Sequence, residues 1–190
     1  MALAHPEQAD WEQTARIVLE EQDRLGGLVD DMLMLARLDE GKTPRSVEVD
    51  LDDIVFAETS RPCGAAIDVS RVEAVRVLGD VQQLTRLVRN LISNGARHAE
   101  SGIAVSLHTV ADEAVLLVED DGPGIAEADR TRVFERFVRL EDSRSRDEGG
   151  AGLGLALVRA VVSAHDGSVA VTESPLGGAA FEIRLPHLAG

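Results

Sequence analysis

Leu84, Leu87, Val88, Leu91 and Ile92 recur at steps of three and four, and Gln83, Arg86, Asn90, Asn94, Arg97 and His98 recur at similar steps on the other side. That two-faced pattern has the period of an amphipathic helix. Asp80 stands before it as an N-cap, so a helix is expected from there to about His98. A second periodic stretch, Asp10 to Asp39, carries Leu25, Leu28, Met32 and Leu35 with Val29 and Ala36 beside them. It reads as one long helix with a coiled-coil-like seam. Gly26 and Gly27 lower its propensity by about 1 kcal/mol each. Such a helix either packs on its own domain or needs a partner; the stop-and-linker sequence from Gly41 to Pro44 favours the partner.

Elsewhere the apolar positions alternate. Strands are expected at Ser46–Leu51, Ala66–Ser70, Ala74–Leu78, Ile103–Val110 and Ala114–Glu119. Ser168–Glu173 and Ala179–Leu185 should close the chain as a hairpin across Pro175–Gly178. Asp52–Thr59, Ala126–Phe137 and Gly152–His165 read as helical. Leu140–Gly150, charged and ending in glycine, reads as a mobile loop. There is no internal repeat. Strands and helices interleave without a regular βαβ period, so the expected class is α+β, a layered two-layer sandwich rather than a doubly wound fold. The boundaries follow: a helical segment at 1–41, a linker at 42–46, the main domain at 47–187 and a tail at 188–190.

Composition narrows the function. The chain has 190 residues, 44% of them hydrophobic, so it can bury a core. It contains four Phe, one Trp and no Tyr, so aliphatic residues must fill that core. The net charge of −15 argues against a nucleic-acid surface, which needs a basic stripe. It also repels nucleotides, so any nucleotide site must be a local concentration of Arg and backbone N–H groups. Cys63 is the only cysteine, which excludes an intrachain disulfide and fits a reducing compartment. No apolar run approaches the ~18 residues of a membrane span. The chain therefore reads as cytoplasmic, which is compatible with a parent protein anchored in the cell membrane.

Three features carry chemistry. The polar face of the helix ending at His98 has two Asn one turn apart, with Arg one turn further on each side; amide oxygens suit a hard cation such as Mg²⁺ and guanidinium groups suit phosphate. Taken alone, it is equally an ordinary polar surface. Asp120-Asp121-Gly122-Pro123-Gly124 follows a strand. A carboxylate there can accept from an exocyclic amine while the glycines let a ligand approach the backbone; a plain turn is the simpler reading. Gly149–Leu155 opens a helix and can present N–H groups to an anion. It lacks the Gly-Lys-Ser/Thr of a Walker A loop and the spacing of a dinucleotide fingerprint.

In this order, LVRNLISNGARHA (Leu87–Ala99), VEDDGPGI (Val118–Ile125), RVFERFVR (Arg132–Arg139) and GGAGLGLALV (Gly149–Val158) resemble the ATP-binding domain of sensor histidine kinases, within the wider GHKL ATPase superfamily. Ser174–Phe181 resembles the last glycine segment of that family. The resemblance implies a mixed sheet of about five strands with three helices on one face. It implies Mg-ATP as ligand, with Asn94 on the metal, Asn90 supporting it, and Arg97 near phosphate where the family usually has Lys. Asp120 would accept from the adenine amine, with Gly122 and Gly124 admitting the ring. Phe134 and Phe137 would anchor a lid, Arg139 would reach the γ-phosphate, and Gly150, Gly152 and Gly154 would wrap the phosphates. His98, Ile125, Leu153 and Leu155 complete the implied nucleotide contacts. Arg24–Lys42 resembles the second helix of the family's dimerisation and phosphotransfer hairpin, implying homodimerisation and a response regulator as partner.

The chain departs from the family at Gly95, usually Ala, and at Ala151, often Ser or Thr. It also lacks a segment like the acceptor motif of the first hairpin helix. His5, His98, His108, His165 and His187 have neither that motif's setting nor metal-ligand spacing. The chain is therefore expected to be a fragment beginning in or near the hairpin loop, unable to phosphorylate itself. Hydrolysing and serine-kinase relatives usually place Glu one turn before the metal-binding Asn. Here that position is Asn90, and an amide is no general base, which favours the kinase over the alternatives of an ATPase, a serine kinase or a non-catalytic nucleotide-binding module.

Overall fold

The computed structural model describes residues 11–41, 46–140 and 151–188. It begins with a long helix, α1 (Trp11–Asp39), followed by β1 (Val47–Asp50), α2 (Leu51–Thr59), β2 (Ala66–Val72), β3 (Arg76–Gly79) and α3 (Val81–His98). Then come β4 (Gly102–Val110), β5 (Glu113–Asp120), α4 (Gly154–Ala164), β6 (Ser168–Glu173) and β7 (Ala179–Pro186).

Five strands form one mixed sheet in the order β2-β4-β5-β7-β6, parallel between β2 and β4 and antiparallel elsewhere. Strands β1 and β3 pair separately. The expected sandwich of five strands and three helices is present, with α2, α3 and α4 closing the core. Register explains how the sheet holds them. Val105, Val118, Phe181 and Val171 lie in one row across four strands, and all four are buried. The α3 stripe anticipated from periodicity (Leu84, Leu87, Val88, Leu91 and Ile92) is buried in the same cluster. Each such side chain contributes about 1.5–3 kcal/mol by leaving water.

Helix α3 starts where expected, because the Asp80 carboxylate accepts from the N–H groups of Gln82 and Gln83. Gly95 belongs to its packing: a Cβ there would meet Ile103 Cδ1 at 3.3 Å, tighter than most contacts. His165, buried at the end of α4, accepts the Asp80 N–H on Nε2 and contacts the Val161 carbonyl through Nδ1. A backbone donor on Nε2 fixes the neutral tautomer with the proton on Nδ1.

Two readings need correction. Ala126–Phe137 is not one helix but two single 3₁₀ turns, Glu127–Asp129 and Arg132–Phe134. Val133 and Phe134 are its buried apolar side chains, too few to define a helical face, and Arg130 Nε turns back to the Ile125 carbonyl. Strand β3 starts at Arg76 rather than Ala74, because Asp52 Oδ1 takes the Val75 N–H outside the ladder. The loop expected at Leu140–Gly150 lies, apart from Leu140, outside the described residues.

Asp121 ties the end of α3 to the sheet. Its carboxylate accepts from the N–H groups of Glu100, Ser101 and Gly102 and from the Ser101 hydroxyl. The hydroxyl bond first, then the backbone bonds, hold its pKa below the ordinary carboxylate range. A depressed folded pKa adds stability at pH above the ordinary value of 3.8, and that stability is lost as the pH falls through the folded value. Asp121→Asn is therefore expected to flatten the loss of stability as the pH falls below 3.8, as read by denaturant melts at several pH values in that range. An unchanged slope would show that the carboxylate contributes nothing through titration.

Candidate functional site

The end of β5 and the end of α3 meet at a joint made mostly of backbone. Asp120 is 3% exposed, and its Oδ1 accepts from the N–H groups of Gly122 (3.0 Å) and Ala179 (3.1 Å). Its main-chain carbonyl also accepts from Gly178 N–H. Both side-chain bonds fall on Oδ1, so the carboxylate is fixed in direction. Glycine is required around it. A Cβ on Gly122 would overlap the His98 carbonyl, and one on Gly178 would overlap Asp120 Oδ1 and stand 2.5 Å from Gly122 N. Gly124 adopts a left-handed φ of 72° against the Gly178 carbonyl. Ile125, half-buried, packs on the core beside it.

Along α3, Asn90 and Asn94 are half-buried, as is His98, while Arg97 is exposed in the last turn. Asn90 lies against the start of α4: a Cβ on Gly154 would come within 2.9 Å of Asn90 Oδ1. The other end of that amide, Nδ2, is buried without a hydrogen-bond partner among the described residues. Leu153 is buried, and Leu155 packs at the core margin. Gly152, with φ 70°, receives the Phe137 N–H on its carbonyl.

The two implied lid anchors differ. Phe134 is buried edge-to-face on Phe181, with ring centres 6.3 Å apart and planes at 88°. Phe137 is 66% exposed with φ 63°, so its ring is not packed; its hold on the site is the backbone bond to Gly152. Arg139 is exposed beyond it. Gly150 lies outside the described residues. Arg86 does not face the site as its place on the polar face implied. Its guanidinium is taken by Asp31 and the Gly27 carbonyl of α1. Sequence reasoning passed over the pair that fixes Asp120, Gly178 and the Ala179 N–H. The glycine segment before β7 was the available signal.

A two-layer sandwich with a buried strand-end carboxylate, an amide-bearing helix and glycine joints defines a nucleotide-binding class of domain. The family described as histidine kinase-, DNA gyrase B- and HSP90-like ATPase matches residues 79–189, and this chain belongs to it. Similar curated proteins include the probable sensor histidine kinase TcrY of Mycobacterium tuberculosis, 42% identical over 89% of this chain and 37% of TcrY. Sensor protein RstB of Escherichia coli is 34% identical over 86% of the chain and 39% of RstB. The chain thus spans well under half the length of these relatives. Among solved structures, the mycobacterial sensor histidine kinase MprB is 31% identical with a TM-score of 0.66, covering 76% of this chain and 99% of that one. Full-length ShkA, solved in complex with AMPPNP, is 27% identical with a TM-score of 0.76, covering 96% of this chain and 40% of ShkA.

The joint around Asp120 can be tested without any ligand. Gly178→Ala forces the carboxylate or the turn to move, an overcrowding expected to cost about 1–3 kcal/mol. Urea denaturation would report it as a lowered midpoint. An unchanged midpoint would show that the turn relaxes freely and does not fix Asp120.

Proposed function

We propose that this chain is the catalytic ATP-binding portion of a two-component sensor histidine kinase. It binds Mg-ATP and passes the γ-phosphoryl group to a histidine on a helix partnered with α1, for relay to an aspartate of a response regulator. The observation that carries this reading is Asp120, a buried carboxylate with Oδ1 committed to two backbone N–H groups and Oδ2 left to accept the exocyclic amine of adenine. Gly122 and Gly124 keep the backbone bare beside it, so the ring lies flat against main chain.

The rest of the site supplies what a triphosphate needs. Asn94 offers an amide oxygen to a hard cation, and Asn90 supports it from one turn away. The residues fit a metal brought by its phosphates: the buried Asn90 Nδ2 is a donor without a partner among the described residues and suits a phosphate oxygen or a metal-bound water, and among those residues no group of three or more His, Cys, Asp or Glu side chains could hold a cation alone. Bound magnesium neutralises charge across the phosphate oxygens. Arg97 and Arg139 give guanidinium donors to those oxygens. The N–H groups from Gly152 to Leu155 face phosphate at the start of α4.

Transfer breaks the bond between the γ-phosphorus and its bridging oxygen, releasing ADP, as an imidazole nitrogen forms the new bond to phosphorus. A neutral imidazole is already a nucleophile. Asn90 cannot deprotonate water, so hydrolysis by this chain is slow. The acceptor belongs to another helix, because α1 contains no histidine. A partner for α1 is offered by Trp11, Ala15, Val18, Leu25, Val29, Met32 and Ala36, which are all exposed and follow a heptad spacing suited to a helical bundle between two copies.

Asp120→Asn keeps an oxygen for both backbone donors and replaces Oδ2 by a donor, so only the amine contact is lost. ATP affinity measured by calorimetry should fall by the ~1.5–3 kcal/mol of a charged hydrogen bond. Retention of full affinity would remove Asp120 from the site. A second measurement addresses the chemistry: labelled Mg-ATP incubated with the chain and a histidine-bearing hairpin in trans. Acid-labile label on the hairpin is expected, lost in Asn94→Ala; rapid release of free phosphate instead would make the chain a hydrolase.

A further inference from the structure

A cleft of ≈ 420 Å³ opens between α1 and the first half of α3. That volume lies within the roughly 300–1,000 Å³ of small-molecule sites. Its walls are of two kinds. Leu33 and Met34 of α1 and Val81 of α3 supply apolar surface. Arg37 of α1 and Arg86 and Arg89 of α3 supply three guanidinium groups, with the Thr85 hydroxyl beside them. Asp30 is the one acid among the lining residues. None of these side chains belongs to the proposed nucleotide site, and nothing in the proposed transfer uses them.

Two of the guanidinium groups are already held in place by partners that do not line the cleft. Arg86 donates through Nε to Asp31 and through Nη2 to the Gly27 carbonyl. Arg89 donates through Nε and Nη2 to the two oxygens of Glu58. Each keeps Nη1 uncommitted among the described residues. Asp31 and Glu58 are buried, so these anchors are shielded from water. Guanidinium groups fixed in this way lose little side-chain entropy when an anion arrives. Their charge is balanced by their partners, so what they offer is oriented N–H donors rather than a net field. Arg37 supplies the charge: it is exposed and has no hydrogen-bond or ion-pair partner among the described residues.

We propose that this cleft is a second ligand site, taking a small, free phosphate monoester with an apolar arm. Three guanidinium groups carried by two helices match an acceptor with three terminal oxygens. A carboxylate has two and is satisfied by one bidentate Arg. The apolar wall of Leu33, Met34 and Val81 gives a bare phosphate ion nothing to gain, whereas an alkyl or aryl arm leaves water against it. The site does not rest on the kinase reading, because it shares no side chain with the nucleotide site.

The probe is octyl phosphate, kept below its micelle concentration and titrated into the whole chain by calorimetry, with octanoate, inorganic phosphate and octanol as comparisons. Saturable binding of octyl phosphate is expected. Arg37→Glu should weaken it about tenfold or more, the loss of a charged hydrogen bond. Val81→Asp, at an exposed position on the cleft wall, should weaken it in the same direction. Arg159→Glu makes an equal change of charge at an exposed position of α4 outside the lining and should leave binding unchanged. Octanoate, inorganic phosphate and octanol should each bind at least about tenfold more weakly than the ester, since each lacks an oxygen, the arm or the charge. Amide shifts on adding the ester should gather at 30–37 and 81–89 and persist with Mg-ATP present. Absence of saturable binding by well-folded protein would overturn the site. Equal losses in Arg37→Glu and Arg159→Glu would do the same, because net charge alone would then be at work. Displacement by Mg-ATP would move the ester to the nucleotide site, and octanol binding as tightly as the ester would reduce the cleft to an apolar groove; either result overturns the proposal. Capture by phosphatidic acid vesicles without binding of octyl phosphate would overturn a free ester as the ligand.

Discussion

The burial of one stripe of α3 against the sheet governs what the rest of the molecule can do. Leu84, Leu87, Val88, Leu91 and Ile92 all go inward, so the residues between them are committed to the other side at fixed axial steps. One helix therefore presents Arg86, Asn90, Asn94 and Arg97 as a graded row. Its first member meets α1, its second meets the start of α4, and the helix end at His98 stands beside the glycine joint at the end of β5. The same packing that stabilises the fold sets the spacing of the site.

This division also resolves the problem posed by the acidic composition. A chain with a net charge of −15 is a poor general host for a triphosphate. Several acids among the described residues are spent on internal bonds: Asp121 on the N–H groups after α3, Asp31 on Arg86, Asp39 on Arg136, and one oxygen of Asp120 on two backbone donors. What the described residues are proposed to offer the triphosphate is amide, guanidinium and bare backbone. The same economy explains why glycine is needed where β5, α3 and the turn before β7 converge, since any side chain at Gly122 or Gly178 would occupy the space of the carboxylate or of a helix-end carbonyl.

Much of this was legible in the sequence wherever the information is local. The α3 stripe, its Asp80 cap, the strands β4 to β7 and the glycine-rich turns were all set by periodicity and by turn chemistry within a few residues. What escaped depends on distant contacts. The segment from Ala126 to Phe137 has helical composition, but tertiary demands override it: Phe134 is drawn onto Phe181, and the Phe137 N–H onto Gly152. The long first helix showed one apparent seam. In the structure, Leu35 turns to the domain and Leu25, Val29 and Met32 turn away, because neighbouring stripes at steps of three and four are separable only once a partner surface is present. Gly178 reads as a turn residue until β7 brings it beside Asp120, 58 positions earlier in the chain. The contact of Arg86 with Gly27 could not be read at all, since both lie on helices whose docking no local signal specifies.

The central claim is that adenine nucleotide lodges where α3, the end of β5 and the turn before β7 meet. The most direct measurement is an amide-resolved NMR titration of the folded chain with a non-hydrolysable ATP analogue and magnesium. The account requires saturable shifts concentrated at Asn90–His98, Asp120–Ile125 and Gly178–Ala179. Shifts confined to the cleft between α1 and α3, or none at all in well-folded protein, would contradict it.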